Sequence, residues 1–202
     1  MRIAILISGR GSNMIALSDA VLSGSIEGAE IVLVLSDKAD ARGLIAAKER
    51  GLTTAVVERR GRPREEHESE VLALLGEHRV ELICLAGYMR LLSAVFIGTF
   101  AGRILNIHPS LLPAFPGLQA QQQALEHGVK VSGCTVHFVN EDLDGGPIIA
   151  QRTVEVLDDD SEESLSARIL EQEHLLYAEA LQFVLNSNYE VLGRRVITRV
   201  SS

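Results

Sequence analysis

The segment Ile3–Ile7 places five apolar residues in a row with no polar residue among them. An amphipathic helix or a half-exposed strand would interrupt such a run; a strand covered on both faces does not. Comparable segments recur at Ile31–Leu35, Thr53–Val57, Leu82–Ala86 and, with polar ends, Arg103–Asn106. Helical stretches separate them. One follows Asn13 to about Leu22, one is Ala41–Arg50 with Gly51 as its closing glycine, one is a charged helix opened by Pro63 and running to about His78, and a short one covers Ala94–Thr99. Right-handed crossovers turn this alternation into a doubly wound, mainly parallel α/β sheet with helices on both faces. Ligands bind such sheets beyond the carboxyl ends of the strands. Two loops are expected there, Ser8–Asn13 and Asn106–Gly117.

The pattern changes after the fifth strand. Pro109, Pro113 and Pro116 make Ile107–Gly117 irregular. A short helix at Gln121–Glu126 follows, then strands Val131–Val139 and Ile148–Val156, joined by the segment Asn140–Gly146. A long helix is expected from about Ser161 to Leu185, with Asp160 as its cap and Glu163 three residues on. Tyr189–Val200 reads as a small hairpin or tail. No internal repeat or inter-domain linker is visible, so one domain of 202 residues is expected.

Composition narrows the function classes. The formal net charge is −8, which argues against a general nucleic-acid binder. A small anionic substrate needs only local donors. Aromatics are 4% of the chain and Trp is absent, so the core is aliphatic. Cys84 and Cys134 lie in apolar strands and read as buried, reduced thiols. No apolar run approaches the roughly 20 residues of a membrane span, and the first residues form a strand, not a leader. A cytoplasmic protein with no membrane partner is expected.

The loop Ser8–Asn13 joins a buried strand to a helix. Backbone amides at a helix N-terminus, with Ser and Asn side chains, make an anion site. The dinucleotide fingerprint fails at Met14 and no Gly-Lys-Ser/Thr follows, so a single phosphate fits better than a pyrophosphate. A plain glycine turn capped by Ser12 or Asn13 fits the same residues. In the segment Asn106–Pro113, Asn106 and His108 point to one side of an extended chain. Two such donors at a strand end resemble an oxyanion site. Asn106 satisfying the backbone beside a surface His108 is the plainer alternative. Asp144 could pair with an imidazole and fix its orientation, or could simply serve the Asp-Gly turn.

Glu173 falls on the apolar face of the long helix, beside Ile169, Leu176 and Ala180 at helical spacing. A carboxylate there needs a donor, either structural or a ligand hydroxyl. Other features read as structural. The acidic run Asp158–Glu163 suits a helix N-terminus. His137 is a core or rim residue, and His67, His78 and His127 lie on charged stretches that look solvated. No cluster has metal-ligand spacing. The segment Gly87–Leu92, apolar with one Arg, could line a pocket for a flat anionic ligand or pack as a turn.

Taken together, the segments Leu6–Asn13, Leu85–Leu92, Asn106–Pro113, Thr135–Val139, Asp144–Ile148 and Gln172–His174 resemble the glycinamide ribonucleotide formyltransferase family of purine synthesis, from about Ile3 to Leu181. Their order and spacing together are specific. The resemblance implies the formyltransferase fold as a single domain 1–202: a nucleotide half at about 1–100, a folate and catalytic half at about 101–188, and a tail at 189–202. It implies glycinamide ribonucleotide and N10-formyltetrahydrofolate as substrates, with no metal; a homo-oligomer is left open. Gly11, Ser12 and Asn13 would hold the ribonucleotide phosphate and Glu173 the ribose hydroxyls. Met89, Arg90, Leu91 and Leu92, with Asn140, Glu141 and the rest of the loop to Asp144, would hold the pterin. Arg64 and Arg90 would lie near the folate's acidic portion. Asn106 and a protonated His108 would stabilise the oxyanion, with Asp144 keeping the ring charged and helping to relay a proton.

The chain departs from that family in one stretch. Where the family often carries a histidine after Pro-Gly-x, this sequence has Gln119, Ala120, Gln121, Gln122 and Gln123. Glutamine donates hydrogen bonds but does not titrate. A related formyltetrahydrofolate hydrolase would add a regulatory domain and a His at the position of Pro109. A formyltransferase acting on initiator tRNA would add a C-terminal domain. A non-catalytic sensor of a phosphorylated ligand would use the Ser8–Asn13 loop equally well, but would give Asn106, His108 and Asp144 no common purpose.

Overall fold

The computed structural model describes residues 1–199, in two compact units, Met1–Leu105 and the described residues from Asn106 onward. The first unit follows the expected alternation: β1 (Arg2–Ile7), α1 (Ser12–Leu22), β2 (Glu30–Ser36), α2 (Arg42–Glu49), β3 (Thr54–Val56), α3 (Arg64–Glu77), β4 (Leu82–Leu85) and α4 (Ala94–Thr99). Strand β5 (Ile104–His108) spans the division between units. The second unit adds α5 (Ala120–Glu126), β6 (Val131–Phe138), β7 (Ile148–Glu155), α6 (Glu162–Asn186), β8 (Tyr189–Leu192) and β9 (Arg195–Thr198).

Strand order in the first unit is β3-β2-β1-β4-β5. The pairs β1–β2, β1–β4 and β2–β3 are parallel. The chain therefore builds outward from β1 to β3, then crosses back to lay β4 on the other side of β1. With right-handed crossovers, that reversal puts helices on both faces. Residues Ile3–Ile7 are all essentially inaccessible, as expected for a strand covered twice. The reversal also creates a switch point at the carboxyl ends of β1 and β4, where ligands bind in this architecture. Ser8 N–H donates to Gly87 O at 3.1 Å, and Met89 N–H donates to Ser8 Oγ at 2.9 Å. These bonds fasten the two strand-end loops to each other.

In the second unit the order is β5-β6-β7-β9-β8. The pairs β6–β7 and β8–β9 are antiparallel and β7–β9 is parallel. Helix α6 packs on β6 and β7. Tyr189 sits against Phe138 and Phe183, with ring centroids 5.9 and 5.7 Å apart. The tail expected at Tyr189–Val200 is thus a docked hairpin, with Val200 outside the described residues.

Several expectations need correction. The irregular stretch was expected from Ile107, but β5 continues through His108. Helix α6 is capped by Ser161, not Asp160. Ser161 Oγ accepts from Ser164 N–H while Ser164 Oγ accepts from Ser161 N–H. Asp160 instead accepts two bonds from Arg168 and one from Leu157 N–H. His67 is buried, its Nε2 lying 2.8 Å from Val57 O. Both cysteines are buried and free, as expected, and burial pushes the Cys134 thiol up to about 12.

Candidate active site

The candidate site residues fall into three groups. The first is the loop after β1. Gly11, at the N-cap of α1, adopts φ +76° in the left-handed region, and no side chain caps the helix. The first helical bond is Ile15 N–H to Gly11 O, 2.9 Å. Neither Ser12 nor Asn13 acts as the cap, so the capped-turn alternative fails. An uncapped helix start with its first-turn amides clustered suits an anion. The conformation depends on a close backbone approach: a Cβ on Gly11 would lie 2.7 Å from Gly43 Cα, and Gly43 N–H donates to Gly9 O at 3.0 Å. Nothing in the sequence had singled out Gly43. Asn13 is buried and Ser12 partly exposed.

The second group lines a pocket of about 310 Å³ in the first unit, formed by Arg59, Arg64, Tyr88 and Met89–Leu92 with His67 and Glu68 behind. Met89 and Leu91 are 64% and 67% exposed, and large apolar side chains left open in a concavity suit a flat apolar ligand. The backbone beneath them is held firmly. Glu68 is buried and its carboxylate accepts from both Ser93 N–H (2.8 Å) and Ser93 Oγ. Arg90 Nε donates to Asp37 Oδ2 at 2.6 Å. Burial, followed by the charge of Asp37, pushes the Tyr88 hydroxyl well above its ordinary range. Arg59 lines this pocket and was not anticipated.

The third group lies in the second unit. His108, buried on β5, places Nδ1 3.4 Å from Asp144 Oδ2. Asp144 Oδ2 also accepts from Gly117 N–H at 2.8 Å. The carboxylate therefore meets the imidazole directly. His108 Nε2 donates to Phe115 O at 2.8 Å. Asn106 points to the same side of β5, and its Nδ2 lies 3.2 Å from His137 Nε2. His137 Nδ1 donates to Phe138 O at 2.9 Å, so in the neutral ring Nε2 is the acceptor and one Asn106 N–H is committed to it. Burial lowers the His137 pKa, and the Phe138 carbonyl and Asp144 only partly oppose the shift. His137 Nε2 is also 3.7 Å from Asp144 Oδ1. His137, expected as a core or rim residue, is buried and is also part of this cluster. Alternation along β6 could have signalled its inward side, but not its neighbours.

The remaining expected residues are placed as follows. Glu173 is 7% exposed on the inner face of α6, where its charge acts on Cys134. Asn140 and Glu141 lie in the turn after β6. Asn140 Oδ1 accepts from Asp142 N–H at 3.2 Å, and Glu141 is exposed. The turn closes with Asp144 at φ +50° and with Gly146, where a Cβ would meet Phe138 O at 1.8 Å. The glutamines do structural work: Gln123 Nε2 donates to Leu118 O at 2.8 Å and lies 3.5 Å from Pro116 O. Among the described residues, no group of three or more His, Cys, Asp or Glu could hold a metal ion, and no helix is long and apolar enough to cross a membrane.

The parallel sheet carries a switch-point loop and an Asn–His–Asp cluster at a strand end, and residues 1–181 match the formyl transferase family model. The chain belongs to the formyl transferase family. Several of the similar proteins carry the name phosphoribosylglycinamide formyltransferase. The chain is 44% identical to phosphoribosylglycinamide formyltransferase of Escherichia coli (strain K12), covering 88% of this chain and 84% of that one. It is 49% identical over 92% of its length to the trifunctional purine biosynthetic protein adenosine-3 of Drosophila melanogaster, of which it spans only 14%. Glycinamide ribonucleotide transformylase 1 from Symbiobacterium toebii superposes with a TM-score of 0.95 at 47% identity, over 98% of this chain and 93% of that structure. The expected fold is borne out.

Proposed function

We propose that this chain transfers the formyl group of N10-formyltetrahydrofolate to the amine of glycinamide ribonucleotide, as a cytoplasmic enzyme of purine synthesis. The observation that carries the reading is the cluster at the end of β5, where His108 faces Asp144 and Asn106 is linked to the same carboxylate through His137. The names of the similar proteins support formyl transfer to glycinamide ribonucleotide, and the net charge of −8 supports small-molecule partners over nucleic acid.

The chemistry follows from charge development. The amine nitrogen attacks the formyl carbon, and negative charge grows on the formyl oxygen. The C–N bond to the amine forms, the bond to folate N10 breaks, and the proton lost by the amine passes to the leaving nitrogen. Asn106 keeps one side-chain N–H beyond the one given to His137, and that donor serves the oxyanion. A positioned donor of this kind contributes about 3–4 kcal/mol. His108 acts first through its charge, held beside Asp144. Direct donation from His108 requires Nε2–H to exchange Phe115 O for the oxyanion. Asp144 orients the ring and relays the proton. Gly11, Ser12 and Asn13 serve the phosphate, Glu173 the ribose hydroxyls, and Met89–Leu92, Arg64, Asn140 and Glu141 the folate.

The test follows tetrahydrofolate release from N10-formyltetrahydrofolate with and without glycinamide ribonucleotide. Release only with the ribonucleotide is expected. Release without it would indicate a hydrolase, and no release in either case would indicate a non-catalytic binder of phosphorylated ligands.

A further inference from the structure

The ion pair beneath the pocket has an unusual form. Asp37 follows β2 directly, and its side chain is 1% exposed, whereas that of Arg90 is 35% exposed. A buried carboxylate that existed only to neutralise an arginine would take the forked, two-bond geometry, which satisfies both oxygens. Here the pairing is side-on. Among the described residues only Nε donates, to Oδ2 at 2.6 Å, the buried Oδ1 has no hydrogen-bond partner, and the four Nη N–H bonds meet no protein acceptor. Arg90 lines the pocket. An unsatisfied carboxylate oxygen is costly, so this geometry gives up local stability for a guanidinium whose outer donors are held in one orientation. The backbone on either side of Arg90 is anchored as well, by Met89 N–H to Ser8 Oγ and by Glu68 to Ser93.

From this geometry we infer that Asp37 is a positioning residue. It acts through Arg90, presenting the Nη pair to a carbonyl or carboxylate oxygen of the pocket's occupant. The inference rests on the proposed reading of that occupant as the folate cosubstrate. A lysine at 90 could not do this, because one ammonium cannot hold Asp37 side-on and offer a planar pair of donors together.

The experiment is a double-mutant cycle on the full chain, read by KM and kcat for each substrate and by calorimetric binding of N10-formyltetrahydrofolate. Asp37→Ala is expected to raise the folate KM and dissociation constant on the order of tenfold to a hundredfold, the range for a charge-assisted hydrogen bond. The ribonucleotide KM should change less than about threefold. Asp37→Asn keeps an acceptor for Nε and should recover most of the loss. Asp37→Ala combined with Arg90→Ala should be no worse than Arg90→Ala alone, since a residue acting only through Arg90 has nothing left to act on. Losses that multiply would overturn the inference, as would an unchanged folate constant in Asp37→Ala. If Asp37→Ala does not fold, the same cycle with Asp37→Leu, which fills the buried position with a side chain of similar size and offers Nε no acceptor, decides on the same non-additivity. The calorimetric arm needs no turnover. A wild-type protein that binds folate but transfers nothing would defeat the proposed function and leave the Asp37–Arg90 coupling measurable.

Discussion

Asp144→Asn isolates charge from geometry at the proposed reaction centre. Asp144 sits at φ +50°, and Asn is among the few residues that tolerate that region. Its Oδ2 accepts from Gly117 N–H and faces His108 Nδ1. The amide oxygen of an Asn placed there can keep both contacts. The amide nitrogen would then take the place of Oδ1, 3.7 Å from His137 Nε2, which is an acceptor in the neutral ring. What disappears is the negative charge. Two unit charges at the 3.4 Å of the His108–Asp144 pair attract by roughly 5 kcal/mol at an effective dielectric of 20. Imidazolium charge is shared between two nitrogens, so about half of that acts across the contact, on the order of 2–3 kcal/mol. At about 1.4 kcal/mol per factor of ten, kcat should fall about a hundredfold. Stopped-flow or steady-state assays at saturating substrates read this directly. Ribonucleotide affinity should move less than about threefold, and the melting temperature by no more than a few degrees. A kcat within threefold of wild type would refute the assignment of a charge role to Asp144. A loss confined to KM would do the same.

Other perturbations probe the remaining parts. Ser12→Asp puts a carboxylate at the uncapped start of α1 and should weaken ribonucleotide binding at least about tenfold by repulsion; unchanged affinity by calorimetry would move the phosphate elsewhere. Gly11→Ala forces a Cβ toward Gly43 Cα at 2.7 Å in a left-handed conformation and should cost about 2–4 kcal/mol of stability, read as a lowered melting temperature. Gln123→Glu replaces a donor to Leu118 O by an acceptor, loosening the loop whose Phe115 O and Gly117 N–H hold His108 and Asp144. It should lower kcat about threefold to tenfold with little effect on ribonucleotide affinity, and equal activity would show that the loop holds itself. His137 and His174 have folded pKa values below the ordinary 6.5, chiefly through burial. The unfolded chain therefore binds protons first as pH falls. Stability from these residues should be intact above pH 6.5 and decline below it, down to their lowered folded values. Protonating His137 also converts its Nε2 from acceptor to donor and breaks the Asn106 contact, so kcat should fall as pH drops through the lowered folded value, at the acid end of the range in which stability declines. Stability that does not decline below pH 6.5, or a kcat that falls before stability does, would contradict this reading.

The parallel half of the fold was legible because its strands are buried twice and so appear as unbroken apolar runs. Strand β5 was read short for the complementary reason: Asn106 and His108 interrupt the apolar pattern at the point where function replaces packing. The candidate trio was legible as residue types at plausible loop positions, but contact between His108 and Asp144 depends on pairing across 36 positions. Asp37–Arg90, Glu68–Ser93 and Gly11–Gly43 were invisible for that reason, since each joins segments 25 to 53 positions apart or otherwise remote. His67 was misread because its helix is charged overall, while its own ring turns inward to Val57 O. Asp160 was misread as a cap because Ser161 competes for the same helix start and reaches the third-residue amide.

The most direct test of the account follows the one-carbon unit itself. N10-formyltetrahydrofolate carrying a 13C-labelled formyl group is incubated with glycinamide ribonucleotide, and the products are resolved by mass spectrometry. The label should appear on the ribonucleotide amine with wild-type protein. With His108→Ala it should appear at least about a hundredfold more slowly, although the ribonucleotide still binds. Label recovered as free formate, or transferred equally fast by His108→Ala, would contradict the claim that this cluster delivers a formyl group to an amine.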